Sequence, residues 1–306
     1  MAAPQAHLNI YDAVAANRWR TILLIGVFTL LVCALVYAVG QAFSPGGGLA
    51  LIPFAVVFSA GSALTSYFAG DKLVLAQSQA RELAPGAEKE LRDIVETLAV
   101  GLGIQPPTIY VIEDTAPNAF ATGRDPKHAS IAVTRGLLQK MDRTELEGVL
   151  AHEMSHVVNR DIRVMLLVTV LVGTIALVSD WMIRSFFWGG GRRDRDRSSA
   201  GAIFLVIALV LAVLTPIIAG LIQMAVSRQR EYLADASGAL LTRYPPGLAN
   251  ALRKIAADTE PLEVANKATA SLYIANPLHD DPKFLDRLFD THPPIAERIR
   301  RLEAMG

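Results

Sequence analysis

The sequence has little cysteine and no excess of charge of either sign. Cys33 is the only cysteine among 306 residues, which excludes a disulfide framework and a cysteine-based zinc site. Lysine and arginine number 29, as do aspartate and glutamate. Because a nucleic-acid surface requires a local excess of basic residues, we expect no nucleic-acid partner.

Charge is also scarce along four long apolar runs. Only 19% of the chain is charged and 52% is hydrophobic. The runs span residues 21–40, 49–70, 164–183 and 200–226, and the single charge within them is Asp180. Each run can cross a hydrocarbon core of about 30 Å as a helix, and so few ionisable residues argue against a transporter. The alternative is a buried core helix, especially for the last two runs, which could pack on the motif that precedes them.

That motif is His152-Glu153-Met154-Ser155-His156, an HExxH pattern in a segment predicted to be helical. Residues four apart lie on one face of a helix, so both imidazoles can bind one Zn²⁺ per chain. Glu153 lies beside the first histidine, where it can deprotonate a metal-bound water. The alternative is a buried helix whose two histidines pair with carboxylates.

The sequence around the motif predicts where this helix begins and which face is buried. Thr144 and Glu147 fit a capping box, and Glu145 favours the positive end of the helix dipole. An apolar stripe at helical spacing follows: Leu146, Val149, Leu150 and Val157.

A catalytic zinc site needs a third protein ligand. Glu231 and Asp235 follow the fourth apolar run and are four residues apart, so they share a helix face. One can bind the metal while the other orients a ligand histidine. Taken alone, this pair also fits a solvated acidic helix start.

These motifs in this order resemble the HtpX family of membrane-bound zinc metalloproteases. HtpX proteins are gluzincins related to the CaaX prenyl endopeptidases and the mitochondrial Oma protease. The resemblance covers nearly the whole chain and includes Ser-Arg-Gln-Arg-Glu-Tyr-Leu-Ala-Asp at 227–235. It implies that His152, His156 and Glu231 bind zinc, that Glu153 is the general base, and that Asp235 supports the site.

Two further segments match the family. Asn118, Ala119 and Phe120 resemble its edge strand, between β-rich runs at 108–112 and 130–134. An exposed edge strand can bind an extended peptide, although an ordinary small sheet is equally consistent with this pattern. The second segment holds His292, which the resemblance places at the oxyanion with Arg298 nearby; its Pro-Pro sequence otherwise indicates a helix start.

The predicted fold is a mainly α membrane protein with four hydrophobic helices and an α+β zincin-like catalytic domain, which has a small β-sheet and an HExxH helix. The predicted segments are 1–70, 71–163, 164–226 and 227–306. Arg18 and Arg20 favour a multi-pass topology in a bacterial-type inner membrane with the active site facing the cytoplasm. The arginine-rich loop 189–197 conflicts with that topology unless the other loops override the positive-inside rule or the last two runs do not fully cross.

The function implied by the resemblance is zinc-dependent endopeptidase activity in membrane protein quality control under stress. The expected partners are protein or peptide substrates, above all membrane proteins, and the lipid bilayer. Two alternatives stay open: a CaaX-type peptidase, and a non-catalytic scaffold with a structural zinc closed by a fourth ligand.

Overall fold

The computed structural model describes residues 10–43, 47–174, 228–265, 269–277 and 293–306. Within these ranges the chain is mainly helical and contains one small mixed sheet. The longer helices are α1 (Ile10–Phe43), α2 (Gly47–Gln77), α3 (Lys89–Leu102), α4 (Arg135–Lys140), α5 (Arg143–Val158), α6 (161–174), α7 (Arg228–Thr242), α8 (Pro245–Ala257) and α9 (Ile295–Glu303). The strands are β1 (Arg81–Glu82), β2 (Thr108–Ile112), β3 (Ala119–Gly123) and β4 (Ala129–Thr134).

Helices α1 and α2 pack against each other as a hairpin. Residues Trp19–Tyr37 and Gly47–Gln77 are long and apolar enough to cross a membrane. Large apolar side chains such as Leu30 and Val57 are about 70% exposed on the outside of the hairpin, a surface suited to lipid. Helix α2 continues seven residues beyond the predicted segment boundary at residue 70.

The second pair of hydrophobic runs is described only at its beginning. Helix α6 includes the first eleven residues of the third run. The rest of that run, the arginine-rich loop 189–197 and the fourth run lie outside the described residues.

The sheet has the order β1-β2-β4-β3. Strands β2 and β4 are parallel, with Thr108 opposite Ser130, and the other two pairs are antiparallel. The two β-rich runs are therefore confirmed as neighbouring strands, and the segment between them forms β3 at the edge of the sheet.

Both faces of this sheet are buried, because side chains along each strand point alternately to opposite sides. On β4, Ile131 and Val133 face a core shared with α3, α5 and α8. Ala132 and its neighbour Phe120 on β3 face the other way, against the end of α2 and the start of α6. The sheet is thus packed between the HExxH helix on one face and the C-terminal end of α2 on the other.

Helix α5 begins two residues earlier than the sequence indicated. Asp142 is the N-cap and accepts hydrogen bonds from the backbone N–H groups of Thr144 and Glu145. The Glu145 carboxylate accepts from the Asp142 N–H at 2.8 Å, which completes the capping box. The prediction of Thr144 as the cap was wrong because the chain is already extended at Asp142 and helical from Arg143.

Helices α7 and α8 pack closely on α5 at two glycines. A Cβ on Gly238 of α7 would lie 3.0 Å from the backbone nitrogen of His152. A Cβ on Gly148 of α5 would lie 2.6 Å from the backbone nitrogen of Leu248 on α8. The contact at Gly238 brings α7 close enough for its carboxylates to reach the histidines of α5.

Candidate active site

Helix α5 places the HExxH side chains in the interior. His152, Glu153 and His156 are each less than 5% exposed. The two imidazole rings are nearly perpendicular, with centroids 4.8 Å apart, and their Nε2 atoms are 3.2 Å apart. The four-residue spacing therefore brings both rings to one point, as predicted.

Glu231 of α7 reaches the same point from the neighbouring helix. Its Oε2 lies 3.7 Å from His152 Nε2, and its Oε1 lies 3.4 Å from His156 Nε2. Ligand atoms of these three residues all lie within 4.8 Å of one another. Among the described residues they are the group of histidine and acidic side chains that could hold a metal ion.

The hydrogen-bond partners of the two Nδ1 atoms indicate what can bind between the two Nε2 atoms. Asp235 Oδ1 lies 2.9 Å from His152 Nδ1, and Asp161 Oδ2 lies 3.2 Å from His156 Nδ1. When each Nδ1–H donates to its carboxylate, both Nε2 lone pairs point at each other and at the Glu231 carboxylate. Three converging acceptors fit a cation, so the residues present fit the metal that an HExxH site requires.

The charge state of this cluster follows from burial and its neighbours. Burial lowers the pKa of His152. Burial alone would also lower the pKa of His156, but the hydrogen bond to Asp161 and the charges of Glu231, Asp161 and Glu153 raise it to about 9. When His156 is charged and its Nδ1–H donates to Asp161, its Nε2 proton points to the position that a metal ion would take.

Glu153 lies beside this group with a strongly shifted pKa. Burial raises its pKa to about 8, despite the opposing effects of charged His156 and a hydrogen bond from the backbone of Ala121. The Ala121 N–H belongs to β3, so the edge strand helps to hold this carboxylate. A carboxylate whose pKa lies near neutrality is suited to accept and return a proton.

Arg298 of α9 binds the carboxylate behind His152. Its Nε and Nη2 donate to the two oxygens of Asp235 at 2.9 and 2.7 Å. Its Nη1 donates to the backbone oxygen of Ile274 and lies 3.8 Å from Glu231 Oε2. Burial alone would raise the pKa of Asp235, but the Arg298 charge and its hydrogen bonds lower it to about 2, so this carboxylate stays ionised beside His152.

The predicted substrate strand is at the edge of the described sheet but is not exposed. Every residue of β3 is buried. The Ala119 oxygen accepts from the Ile274 N–H at 3.0 Å, and the Asn118 amide donates to the Ala275 oxygen at 3.2 Å. Phe120 packs edge-on against Tyr273. The strand lies at the edge of the sheet as expected, and residues 273–275 cover part of its outer edge, so substrate binding there stays a prediction.

The structure brings together most of the predicted site and adds Asp161, which the sequence interpretation missed. His292 lies outside the described residues. Asp161 is the only acidic residue between Glu153 and the third apolar run. That position is the one feature of the sequence that could have identified it as a partner of the site. Its contact with His156 depends on the turn at Asn159 and Arg160, where Arg160 has a φ of 58°.

An HExxH helix whose two histidines meet a glutamate in a buried group that could hold a metal ion, in a chain with two helices apolar enough to span a membrane, is typical of membrane-associated metalloproteases, and sequence comparison shows the family. Residues 85–306 match Peptidase family M48, and the chain belongs to this family. Protease HtpX homologs from Dictyoglomus thermophilum and Thermoanaerobacter pseudethanolicus are 44% and 45% identical to it, each over 301 residues. These alignments cover 97% of this chain and 95% and 98% of the relatives.

One solved structure gives a more distant comparison. The crystal structure of S. mikatae Ste24p is 19% identical to this chain and has a TM-score of 0.47. The match covers 96% of this chain and 67% of that one.

Proposed function

We propose that this metalloprotease is a zinc-dependent endopeptidase that cuts membrane proteins and misfolded proteins at the cytoplasmic face of a bacterial inner membrane. The observation that carries the proposal is the buried convergence of His152, His156 and Glu231, with Glu153 beside them. Two histidines and one carboxylate are the ligand set of zinc peptidases, and they leave one coordination position for water or substrate. Among the described residues, the candidate metal group has no fourth ligand that would close the site as in a structural scaffold.

Zinc bound here would lower the pKa of a water molecule and polarise the scissile carbonyl. The chain's own residues would handle the protons. Glu153 would accept a proton as the peptide bond is attacked and pass it to the leaving amine. Arg298 keeps Asp235 ionised, and Asp235 fixes the orientation of His152. We further propose that His292 donates to the oxyanion.

The location of β3 supports membrane proteins as substrates. Directly after β3, the Arg124 guanidinium lies over the Phe68 ring of α2 at 5.6 Å. Phe68 is two residues from the end of the uncharged stretch of α2, which would place this end of β3 at the cytoplasmic boundary of the membrane. Ala121, which holds Glu153, is only three residues away, about 10 Å in an extended strand.

We also propose that Asn118, Ala119 and Phe120 take part in substrate binding, that four hydrophobic helices flank a zincin-like domain, and that the enzyme serves membrane protein quality control. The Ala119 oxygen already accepts from Ile274, so peptide pairing at that position requires segment 273–275 to move. Proximity to the membrane favours substrates whose cleavable segments emerge from it. The HtpX names of the relatives favour this function over CaaX processing.

The first experiment compares zinc content and casein cleavage for the detergent-purified parent and the Glu153→Gln variant. We expect about one zinc per chain in both and cleavage only in the parent, because glutamine keeps the shape but cannot accept the proton. Glu147→Gln, on the same helix, is the matched control and should keep both properties. Cleavage by Glu153→Gln at the parent rate would contradict its role as the base.

A further inference from the structure

Asp161 joins the metal site to the membrane-facing part of the fold. Its Oδ2 contacts His156 Nδ1, and its Oδ1 accepts from the Asn17 amide at 2.8 Å and lies 3.4 Å from Arg230 Nη1. Asp161 is 1% exposed, so these contacts replace water around its carboxylate. Three helices besides its own therefore meet at this group: α1, α5 and α7.

Asn17 is the closest donor to the oxygen of Asp161 that faces away from His156. Its amide nitrogen also donates to the backbone oxygen of Asn159 at 3.1 Å, so it binds both ends of the turn that follows α5. Its Oδ1 accepts from Arg20 at 3.2 Å, which directs the amide nitrogen towards Asp161. Asn17 is 4% exposed and comes from the helix that begins the membrane hairpin.

We infer that Asn17 is a positioning residue for the metal site, acting on His156 through Asp161. This inference rests on the proposed function. Without the Asn17 amide, Asp161 Oδ1 would keep the more distant Arg230 contact, and the turn 159–161 would lose a link to α1. Helix α1 lies outside the segment that matches the peptidase family, residues 85–306. The membrane hairpin is thus part of the metal site's support as well as an anchor.

Replacing Asn17 should change the affinity of the site for zinc. Partners that orient a ligand histidine typically change metal affinity by about 10–100-fold when they are removed. Because Asn17 acts one contact further out than Asp161, we expect Asn17→Ala to weaken zinc binding by about tenfold and Asp161→Ala by more. If Asn17 acts through Asp161, the double variant should bind zinc no more weakly than Asp161→Ala alone.

The test measures the zinc Kd by chelator competition on the full chain in detergent, for the parent, both single variants and the double variant. Thr29→Ala is the matched control, because the Thr29 hydroxyl donates within α1, to the Ile25 oxygen. Tm is measured with and without zinc. We expect Asn17→Ala to reduce the rise in Tm that zinc produces, whereas a merely structural role would lower both Tm values equally. If Asn17→Ala does not fold, Asn17→Ser replaces it.

The outcomes separate this inference from the proposed function. A parent chain that binds no zinc would overturn the proposed function and the inference together. A parent that binds zinc, with an unchanged Kd in the Asn17 variant, would overturn the inference alone. Additive losses in the double variant would also overturn it, because they would show that Asn17 does not act through Asp161.

Discussion

At the scale of single residues, the site combines deep burial with closely paired charges. Asp235 and Asp161 each face the Nδ1 atom of one histidine, and Arg298 compensates the first of these carboxylates. Buried ionised groups are costly unless every charge has a partner. The cluster is therefore most stable when a cation binds between the two Nε2 atoms and the Glu231 carboxylate.

Zinc affinity should depend on pH, because zinc must displace a proton from His156. The pKa of His156 is raised to about 9, so the metal-free site holds that proton below pH 9 and loses it above. We expect the zinc Kd to fall about tenfold per pH unit between about pH 7 and 9 and then to level off. Competition titrations corrected for proton binding by the chelator measure this slope. A Kd that does not change over this interval would show that His156 is already deprotonated at neutral pH.

At the scale of secondary-structure elements, α5 is a core helix that carries the chemistry. Nearly every residue from Glu145 to Val157 is buried, so this part of the helix has no solvent face. Strand β3 supports Glu153 on one side, and α7 and α8 pack on the others. The ligand geometry consequently depends on how closely these elements approach one another.

Gly148→Ala should destabilise the protein. The added Cβ would lie 2.6 Å from a backbone nitrogen on α8, which cannot rotate away as a side chain can. Overpacking of this kind costs about 1–3 kcal/mol. Gly61→Ala is the matched control: it is also a helix glycine, but its Cβ would meet nothing within 4 Å. Thermal unfolding should show a lower Tm for Gly148→Ala and an unchanged or higher Tm for Gly61→Ala; equal values would refute the close packing of α5 and α8.

At the scale of the whole molecule, the sheet lies between α5 and the end of the hairpin formed by α1 and α2. Arg163 extends this contact: its Nε donates to the Arg124 oxygen, and its guanidinium lies over Tyr67 at 5.6 Å. The turn after β3 is thus held to α2 by two arginine–aromatic contacts. This arrangement fixes the distance between the proposed membrane boundary and Glu153.

A fixed distance predicts where membrane substrates are cut. For a reporter with one transmembrane segment and a uniform flexible cytoplasmic tail, reconstituted with the enzyme in vesicles, we expect cuts to concentrate within about ten residues of the membrane. Mass spectrometry of the products locates them. The same tail supplied as a soluble peptide is the control and should show no such bias. Identical cut positions in both would mean that the membrane does not direct cleavage.

The sequence alone determined the features that depend on a single local stretch of chain. The spacing of His152 and His156 placed both rings on one helix face, long uncharged runs predicted α1 and α2, and β-rich runs predicted β2 and β4. Each of these follows from one stretch of chain: the helical repeat for the histidines, the length of an uncharged run for the two helices, and β-rich composition for the strands. The upstream HExxH motif singled out Glu231 and Asp235, which local pattern alone did not distinguish from a solvated pair, and the resemblance then assigned the ligand role to Glu231.

Only the tertiary structure decided how distant segments complete the site. Asn17 and Asp161 are 144 residues apart and their contact has no periodic signal in the sequence. The cover of β3 by residues 273–275 likewise depends on Arg298, which binds that segment from α9, and on Tyr273, which packs against Phe120. Such contacts arise from the packing of whole elements, because a buried carboxylate or strand edge takes whichever partner the fold brings within hydrogen-bonding distance.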